Sequence, residues 1–429
     1  MLEMRVSMVG AVAAGLLAGC ASYRYPEQDI YTAYVGTYTG ESGSKGIYRI
    51  VVDKNSGIVG EPQLVAEVDN PSFLARQWTT LYVASESLNK LFAYGIYPSS
   101  TTNRSWWMVD IFGTMKGGKM VPLDAMQKNN LTLLNEADTG AGPCHVVGSQ
   151  EVAYLLPGFV ATADYMGGSV TAWEREKDGR IGRKIATFQN THASKATGRQ
   201  QQPHAHGVTW DERYDRLLVP DLGADRVYVY KIHRGERDPV TACWPVDRIE
   251  PDTDTPWVDL PPGRGPRHVA FTPGGFANTG YYEHPYMYVL NELSNTICVY
   301  DCGPLETKGS SFTFVEEIST LPEGFDGQST AAELAVSEDG RALYASNRGH
   351  DSIAQFRRNP KNGRLVLMAC VPCGGKGPRD FALMPGGSLM LVANQNSNNI
   401  AVFRVGRDGA LTPLPDGGTA IGAPVCVTF

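Results

Sequence analysis

The sequence has few of the features that mark nucleic-acid-binding, membrane-spanning or α/β proteins. Its 429 residues carry 38 lysines and arginines against 45 aspartates and glutamates, a formal net charge of −7. A nucleic-acid or anionic-membrane binder needs a basic stripe, and this balance argues against both. Long amphipathic helical runs are also lacking, which excludes strands alternating with helices around a parallel sheet.

Cysteines in a disulfide or zinc-binding pattern are missing as well. The eight cysteines are Cys20, Cys144, Cys243, Cys298, Cys302, Cys370, Cys373 and Cys426. Cys370 and Cys373 form one C-x-x-C without a second pair or a spaced histidine pair, which is a weak basis for zinc. We expect most of the cysteines to be small buried hydrophobes, and we predict neither a metal nor a cofactor.

The N-terminus contains an apolar run that reads as a targeting segment. Residues 6–19 are apolar or small, too few for a membrane span but suited to the hydrophobic part of a signal peptide. The run ends in Leu17-Ala18-Gly19-Cys20, which resembles a bacterial lipoprotein cleavage box. We predict a signal segment over residues 1–20 and an exported protein tethered to a membrane through Cys20. A disordered apolar tail on a cytoplasmic protein is the alternative.

An internal repeat dominates the rest of the chain. A strand of the type apolar-Tyr/Leu-Val-Ala is followed by a polar turn and a second alternating strand that ends in an aromatic residue. The seven copies begin at Tyr34, Leu81, Phe159, Leu217, Met287, Leu343 and Met390. Two more strand-like segments separate successive copies, so each unit has four strands, as a propeller blade does. The pattern predicts an all-β, seven-bladed β-propeller that forms a single domain over residues 21–429.

The two ends of the chain predict how the ring closes. The first unit starts with its second strand, near residues 30–37, and the chain ends in a spare strand over residues 424–429. We expect this tail to supply the missing innermost strand of the first blade. The insertion at residues 98–130, with Trp106 and Trp107, falls between the third and fourth strands of the second blade. It is expected on the outer rim of the opposite face, as a surface or partner element.

Polar residues that are unusual in turns all fall on one face of this propeller. The turns entering an innermost strand and the turns joining the second to the third strand lie on the same face. The first set contains His145, His204, His206, Arg267, His268, Glu333 and Arg379. The second set contains Glu86, Asp221, Asn291, Glu292, Arg348 and Gln395. This coincidence predicts a polar ligand site around the axis.

The residue types point to an anion cradle beside an acid/base pair. Arg267, Arg348 and Arg379 can present planar forks to a carboxylate or a phosphate. His206 and Glu292 are candidates for proton transfer, because one can hold a proton while the other accepts one. For each arginine, a salt bridge between blades is the alternative.

Two further residues have structural alternatives of their own. Glu333 could be a buried acid bonded to a neighbouring arginine. His204 and His206 could form a metal pair, but alternate residues of a strand diverge to opposite faces, which argues against chelation by both.

In the order of its motifs, the chain resembles the seven-bladed lactonase family. The matching segments are Ala141-Gly-Pro-Cys-His145, Gln202-Pro-His-Ala-His206, Val219-Pro-Asp-Leu-Gly-Ala-Asp-Arg226, Gly265-Pro-Arg-His268, Asn291-Glu292 and Gly377-Pro-Arg379. The family includes propeller-type 6-phosphogluconolactonases and fungal carboxy-muconate lactonizing enzymes, and the similarity covers about residues 31–429. The resemblance implies His206, Arg267, Glu292 and Arg348 as catalytic residues. Residues that it adds for substrate binding are Arg379, Glu333, His204, His145, His268 and Asn291.

The resemblance leaves three functions open. We predict the first, hydrolysis of a sugar lactone, 6-phosphogluconolactone included, by water that His206 or Glu292 activates beside the arginines. Cycloisomerisation of carboxy-cis,cis-muconate and ligand binding without catalysis on a surface propeller are the alternatives. The expected partner is a small anionic lactone or carboxylate. Asp380 departs from the family pattern, which has a small residue there, and is expected to place negative charge beside Arg379. Export would also keep the protein from a cytosolic sugar phosphate.

Overall fold

The computed structural model describes residues 29–96, 114–116, 119–121, 131–149, 158–236, 245–273, 284–304 and 311–429. Regular structure within them is almost entirely strand, with two single-turn 3-10 helices at Gly198–Gln200 and Gln395–Ser397. None of the helical segments in these ranges is long and apolar enough to cross a membrane. The predicted signal segment, Cys20 and most of the 98–130 insertion lie outside the described residues.

Seven antiparallel sheets confirm the predicted propeller. The first three blades contain β1 (Ile30–Thr37), β2 (Gly46–Asp53) and β3 (Gln63–Glu67); β4 (Pro71–Gln77), β5 (Thr80–Ser85), β6 (Lys90–Gly95) and β9 (Thr132–Asp138); and β10 (Pro143–Gly148), β11 (Gly158–Asp164), β12 (Ser169–Arg175) and β13 (Ile181–Gln189). Between β6 and β9, the insertion contributes a short hairpin of β7 (Thr114–Lys116) and β8 (Lys119–Val121).

The remaining four blades repeat the same order of strands. They contain β14 (Thr209–Asp211), β15 (Arg216–Asp221), β16 (Arg226–Arg234), β17 (Val246–Pro251) and β18 (Trp257–Asp259); β19 (Pro266–Phe271), β20 (Tyr286–Asn291), β21 (Thr296–Asp301) and β22 (Thr313–Ser319); β23 (Thr330–Val336), β24 (Ala342–Arg348), β25 (Ser352–Arg358) and β26 (Leu365–Pro372); and β27 (Pro378–Leu383), β28 (Leu389–Asn394), β29 (Asn399–Val405), β30 (Leu411–Pro413) and β31 (Thr419–Ala420).

The hydrophobic core is divided among the interfaces between neighbouring blades. Each of the seven apolar clusters of the described chain joins side chains of two adjacent blades. The second strands are covered on both faces, and all six residues of β5 and of β20 are buried. A strand covered on both sides needs apolar residues at nearly every position, which is why these strands read as continuous apolar runs.

The C-terminal strand β32 (Pro424–Thr428) closes the ring as predicted. It pairs antiparallel with β1, with Val35 opposite Val427, and so becomes the innermost strand of the first blade. Val425, Cys426 and Val427 are buried, and β32 also contacts β4 and β27 of the two neighbouring blades. The last residues of the chain therefore hold the first and seventh blades together.

Candidate functional site

A bulge in four of the innermost strands turns one residue of each toward one end of the axis. In β19 the pairing with β20 skips from Pro266 to His268, and in β27 it skips from Pro378 to Asp380. The residue between, Arg267 or Arg379, has no partner in the ladder, and a bulge turns such a residue out of the sheet's alternation. Cys144 and Ser72 occupy the same place in β10 and β4.

The turn after each second strand supplies a second set of side chains to the same end. The last residue of that strand, or in β24 the last but one, is fully buried; for example, Asn291 and Asn347 are 0% exposed. The residue that follows the buried one, Glu292 or Arg348, faces the axis. In other blades this place belongs to Tyr38, Glu86, Tyr165, Leu222 and Gln395.

Glu292 is the centre of the reactive cluster, which comprises His206, Arg267, Glu292 and Arg348. Its Oε2 accepts a hydrogen bond from Arg267 Nη1 at 2.7 Å and lies 3.2 Å from Arg348 Nη2. Only 2% of the Glu292 side chain is exposed. Arg267 is fixed by donating from Nε to the carbonyl of Ala332 at 2.7 Å. The structure thus brings together the four residues predicted as catalytic.

His206 completes the reactive cluster from the fourth blade. Its Nε2 faces Arg267 Nη1 and lies 3.6 Å from Glu292 Oε2. Because a guanidinium can only donate, the neutral ring carries its hydrogen on Nδ1, which lies 3.7 Å from Cys144 Sγ. The His206 backbone N–H bonds the carbonyl of Pro220 at 2.9 Å, which holds the residue at the inner end of its blade.

Arg199 is a member of the site that the sequence analysis did not identify. It donates from Nη1 to Glu292 Oε1 at 2.5 Å and from Nη2 to the hydroxyl of Tyr165 at 2.9 Å. Its side chain is 46% exposed, whereas Glu292 is almost wholly covered. Arg199 therefore forms the outer wall over Glu292. Its loop is held by the buried Gln200, whose amide donates to the carbonyl of Leu222.

The charges fix the protonation states of the cluster. Burial alone would raise the pKa of Glu292, but the charges of Arg267, Arg348 and Arg199 hold it well below its usual value. Burial, followed by the charge of Arg267, keeps the pKa of His206 well below 6.5. At neutral pH the cluster therefore contains an ionised carboxylate beside a neutral imidazole.

Arg379, Tyr38 and Glu86 form the opposite wall of the site, from the seventh, first and second blades. The Arg379 guanidinium lies over the ring of Tyr38, 5.0 Å from its centroid. The Tyr38 hydroxyl donates to Glu86 Oε2 at 2.7 Å. The charge of Arg379 contributes to lowering the pKa of both His206 and Arg348, which places this wall close to the reactive cluster.

The site is positive although the chain as a whole is acidic. Its charged groups are the guanidinium groups of Arg199, Arg267, Arg348 and Arg379 and the carboxylates of Glu86 and Glu292. With neutral imidazoles, two positive charges stay unbalanced. The positive charges crowd one another at Arg348. Burial and the charges of Arg267 and Arg379 outweigh the charge of Glu292 and lower the pKa of Arg348 to about 10.

A deeper ring of side chains lines the channel behind the bulge residues. It contains Cys426, Phe73, His145, His268, Glu333 and Asp380. Glu333 Oε2 lies 2.9 Å from His268 Nδ1, and the His268 ring is 4.8 Å from that of His145. Burial raises the pKa of Glu333 to about 7. His145, His268 and Glu333, predicted to bind substrate, thus lie one layer below the reactive cluster.

Asp380 does not place its charge beside Arg379, contrary to the expectation from its sequence position. Its Oδ2 accepts a hydrogen bond from the Val427 backbone at 2.7 Å. Burial, and then the neighbouring Glu333, raise its pKa well above the usual value. Consecutive residues at the bulge diverge, and Asp380 belongs to the deeper ring while Arg379 faces the site.

Two other predicted substrate-binding residues lie outside the reactive cluster. Asn291 is buried in its own hairpin, where its amide donates to Thr296 Oγ1 at 3.0 Å and Cys298 Sγ at 3.3 Å. His204 stacks on Tyr165 with ring centroids 4.4 Å apart. Among the residues that the structure describes, no group of three or more histidines, cysteines or acids could hold a metal ion.

The raised pKa of Glu333 predicts a pH dependence of stability. A carboxyl whose pKa rises on folding stabilises the fold below its unfolded value of 4.5, and this contribution is lost as pH rises towards 7. Relative to wild type, the free energy of unfolding of Glu333→Gln should therefore rise by about 1–3 kcal/mol as the pH is raised from 4.5 to 7.5. Urea unfolding at both pH values measures this. The surface variant Glu136→Gln is the control, and a Glu333→Gln difference that does not change with pH contradicts the prediction.

Comparison with known proteins agrees with this architecture. The family model described as "Lactonase, 7-bladed beta-propeller" matches residues 32–429. The 6-phosphogluconolactonase of Bacillus subtilis is 30% identical over 402 residues, covering 93% of this chain and 98% of that protein. A 6-phosphogluconolactonase of Formosa agariphila is 29% identical and covers 89% and 95% of the two chains.

A solved structure shows the same arrangement. The periplasmic gluconolactonase of Pseudomonas aeruginosa superposes with a TM-score of 0.72 at 27% identity, covering 93% of this chain and 98% of that one. The family match spans all seven blades and every residue of the site described above. The chain therefore belongs to the seven-bladed β-propeller lactonase family.

Proposed function

We propose that the protein hydrolyses an anionic sugar lactone. The observation that carries this proposal is the neutral imidazole of His206 in a site with four arginines and only two carboxylates. A positive site attracts an anionic substrate, and a neutral imidazole has a lone pair that can accept a proton from water. The names of the lactonase relatives support the same reaction class.

His206 is the general base of the proposed reaction. In the structure its Nε2 accepts a hydrogen bond from Arg267 Nη1. When Arg267 turns that donor to the lactone carbonyl, Nε2 takes a proton from a water molecule, and the hydroxide so formed attacks the carbonyl carbon. The bond between that carbon and the ring oxygen then breaks, and the ring oxygen recovers the proton from the imidazolium. Glu292 is the weaker candidate, because the arginines that lower its pKa also reduce its affinity for a proton.

Arg267 and Arg348 stabilise the negative charge that develops on the carbonyl oxygen. Both guanidinium groups are held by Glu292 and by backbone carbonyls, Ala332 for Arg267 and Ala331 for Arg348. Donors fixed before the reaction need little reorganisation when charge appears, which is the main advantage of such sites. An anionic substrate also offsets the arginine charges and thereby raises the basicity of His206.

The test is a lactone-hydrolysis assay on the purified protein, with 6-phosphogluconolactone and unphosphorylated lactones as substrates. The rate should exceed that of buffer on at least one of them. Failure on every lactone would sink the proposal. Conversion of carboxy-muconate instead would identify the cycloisomerase alternative, which needs the same residue types.

The low pKa of His206 predicts the acidic side of the pH profile. The log of kcat/KM should fall only below pH 6.5, because the free enzyme loses activity as His206 becomes protonated. His206→Asn should reduce kcat by about 10²–10⁴-fold and abolish that limb. His233→Asn, in the third strand of the fourth blade and paired with Glu250, is the matched control. An unchanged acidic limb in His206→Asn would assign the base elsewhere.

We also propose that the protein is exported. The apolar run before Cys20 and the periplasmic location stated for the Pseudomonas aeruginosa relative support this. Finding the chain in the cytoplasm but not in the envelope or periplasm of a fractionated host would contradict it.

A further inference from the structure

The wall opposite the reactive cluster is built for a ligand that the proposed hydrolysis does not by itself require. Among the described residues, no carboxylate forms an ion pair with Arg379, although three of the four guanidinium groups of the site contact Glu292. Instead, the face of the guanidinium is covered by Tyr38. The carboxylates of Glu86 and Glu292 stabilise its charge without contacting it, so an anion bound directly to the guanidinium would add charge-assisted hydrogen bonds that the protein itself does not supply.

Glu86 adds a different function to the same wall. One of its carboxylate oxygens, Oε2, accepts the hydrogen bond of the Tyr38 hydroxyl at 2.7 Å. Within the part of the chain that the structure describes, no side chain donates to its other oxygen. An ionised carboxylate accepts strongly from hydroxyl groups and repels a second carboxylate. Glu86 therefore favours a ligand with hydroxyl groups next to its anionic group.

This wall and the reactive cluster face the same space. Cys144 contacts the ring of His206, and the charges of Glu86, Arg267 and Arg379 all act on its thiol. The carboxylate of Glu292 also contributes to raising the pKa of Arg379. Arg267 and Arg379 are the equivalent bulge residues of β19 and β27, so both walls lie at the same end of the axis, and a small molecule bound there can reach His206 and Arg379.

We propose that Arg379, Tyr38 and Glu86 form a subsite for the hydroxylated, anionic end of a sugar-acid lactone. This inference rests on the proposed function and adds the basis of its selectivity. Arg379 binds the phosphate or carboxylate, Tyr38 keeps the guanidinium in place, and Glu86 accepts a neighbouring hydroxyl. A planar muconate derivative has carboxylates but no hydroxyl groups, so Glu86 selects against it.

Steady-state kinetics of single variants test the subsite. The substrates are glucono-lactone, its 6-phosphate, glucuronolactone-type carboxylated lactones and a carboxylated muconolactone. Arg379→Gln should raise the KM ratio of phosphorylated to neutral sugar lactone by about tenfold, the loss of one charge-assisted anion contact. Glu86→Gln should reduce the preference for the carboxylated sugar lactone over the muconolactone by about fivefold. Glu136→Gln, a surface carboxylate paired with Lys90, is the control.

The outcomes separate the subsite from the reaction. Equal changes in KM for charged and neutral lactones in Arg379→Gln, in protein that melts like wild type, would overturn the anion assignment. An unchanged preference in Glu86→Gln would overturn the hydroxyl assignment. If wild type hydrolyses no lactone, the proposed function fails, and calorimetry with gluconate 6-phosphate and gluconate still tests the subsite. Arg379→Gln should then weaken only the phosphorylated acid, by about tenfold; equal affinity of wild type for both acids would overturn the subsite.

Discussion

Replacing Glu292 by glutamine is expected to lower kcat/KM for the lactone by about 10²- to 10³-fold. The carboxylate orients Arg267, Arg348 and Arg199 at once, through contacts of 2.7, 3.2 and 2.5 Å. A neutral amide leaves these guanidinium groups to repel one another, so the donors for the developing charge lose their fixed positions. Rate measurements at saturating and limiting lactone concentration test this expectation.

The same substitution should also cost stability. Removing one partner from a buried ion pair leaves uncompensated charge, typically at about 3–5 kcal/mol, and Arg267 is only 5% exposed. Calorimetric melting of the variant shows whether the loss of rate comes from folded protein.

Glu317→Gln provides the matched control for Glu292→Gln. Glu317 pairs with Arg264 in the same blade, with Arg264 Nε 2.6 Å from Glu317 Oε1, but it lies on the outer strand β22. This variant should retain its activity within about twofold, since a half-exposed ion pair contributes little. Full activity in Glu292→Gln, or an equal loss in Glu317→Gln, would contradict the central role of Glu292.

Deleting residues 424–429 is expected to abolish cooperative folding. The deleted strand buries Val425, Cys426 and Val427 between the first, second and seventh blades. Each buried apolar side chain stabilises a fold by about 1.5–3 kcal/mol, so their sum approaches the whole stability of a typical protein, about 5–15 kcal/mol. Circular dichroism and thermal melting of the truncated chain measure the effect.

A shorter truncation is the control for this deletion. Removing Phe429 alone leaves β32 intact and takes away an edge contact with Tyr31, whose ring centroid is 6.4 Å away. That variant should melt cooperatively, a few degrees lower than wild type. A soluble, cooperatively melting chain without residues 424–429 would show that the closing strand is dispensable.

The fold could be predicted because the same local pattern recurs in every blade. Second strands such as β5 are covered on both faces, so burial imposes a run of apolar residues that stands out in the sequence. The pairing of residues 424–429 with the first blade could be predicted for a similar reason, since a strand that belongs to no complete unit needs a partner. The repeat therefore allows contacts between residues far apart in the chain to be predicted, which a single sequence seldom permits.

The site could be predicted only in part, because the positions of its residues in each blade leave a weak pattern in the sequence. The prediction that His206, Arg267, Glu292 and Arg348 converge is confirmed by their contacts, while their catalytic roles stay predictions. Tyr38 and Tyr165 occupy the same place in their blades as Glu292, and aligning the repeats by the buried residue before that place would have identified them.

Arg199 could not be found in this way. It reaches Glu292 from the single-turn 3-10 helix Gly198–Gln200, which lies outside the repeat, so neither strand period nor blade position applies. Asp380 was misplaced for a related reason. A bulge reverses the direction of the next side chain, and the one-residue shift shows in the pairing but not in the sequence.

The position of the closing strand also determines when the site can assemble during synthesis of the chain. Since β32 comes after every other strand in the chain, the first blade acquires its inner strand only after the seventh blade has been synthesised. Arg379 and Tyr38, which meet across the boundary between the seventh and first blades, have no fixed relation in a nascent chain. A stop before residue 424 would therefore yield six complete blades, with the wall of Arg379, Tyr38 and Glu86 left unassembled.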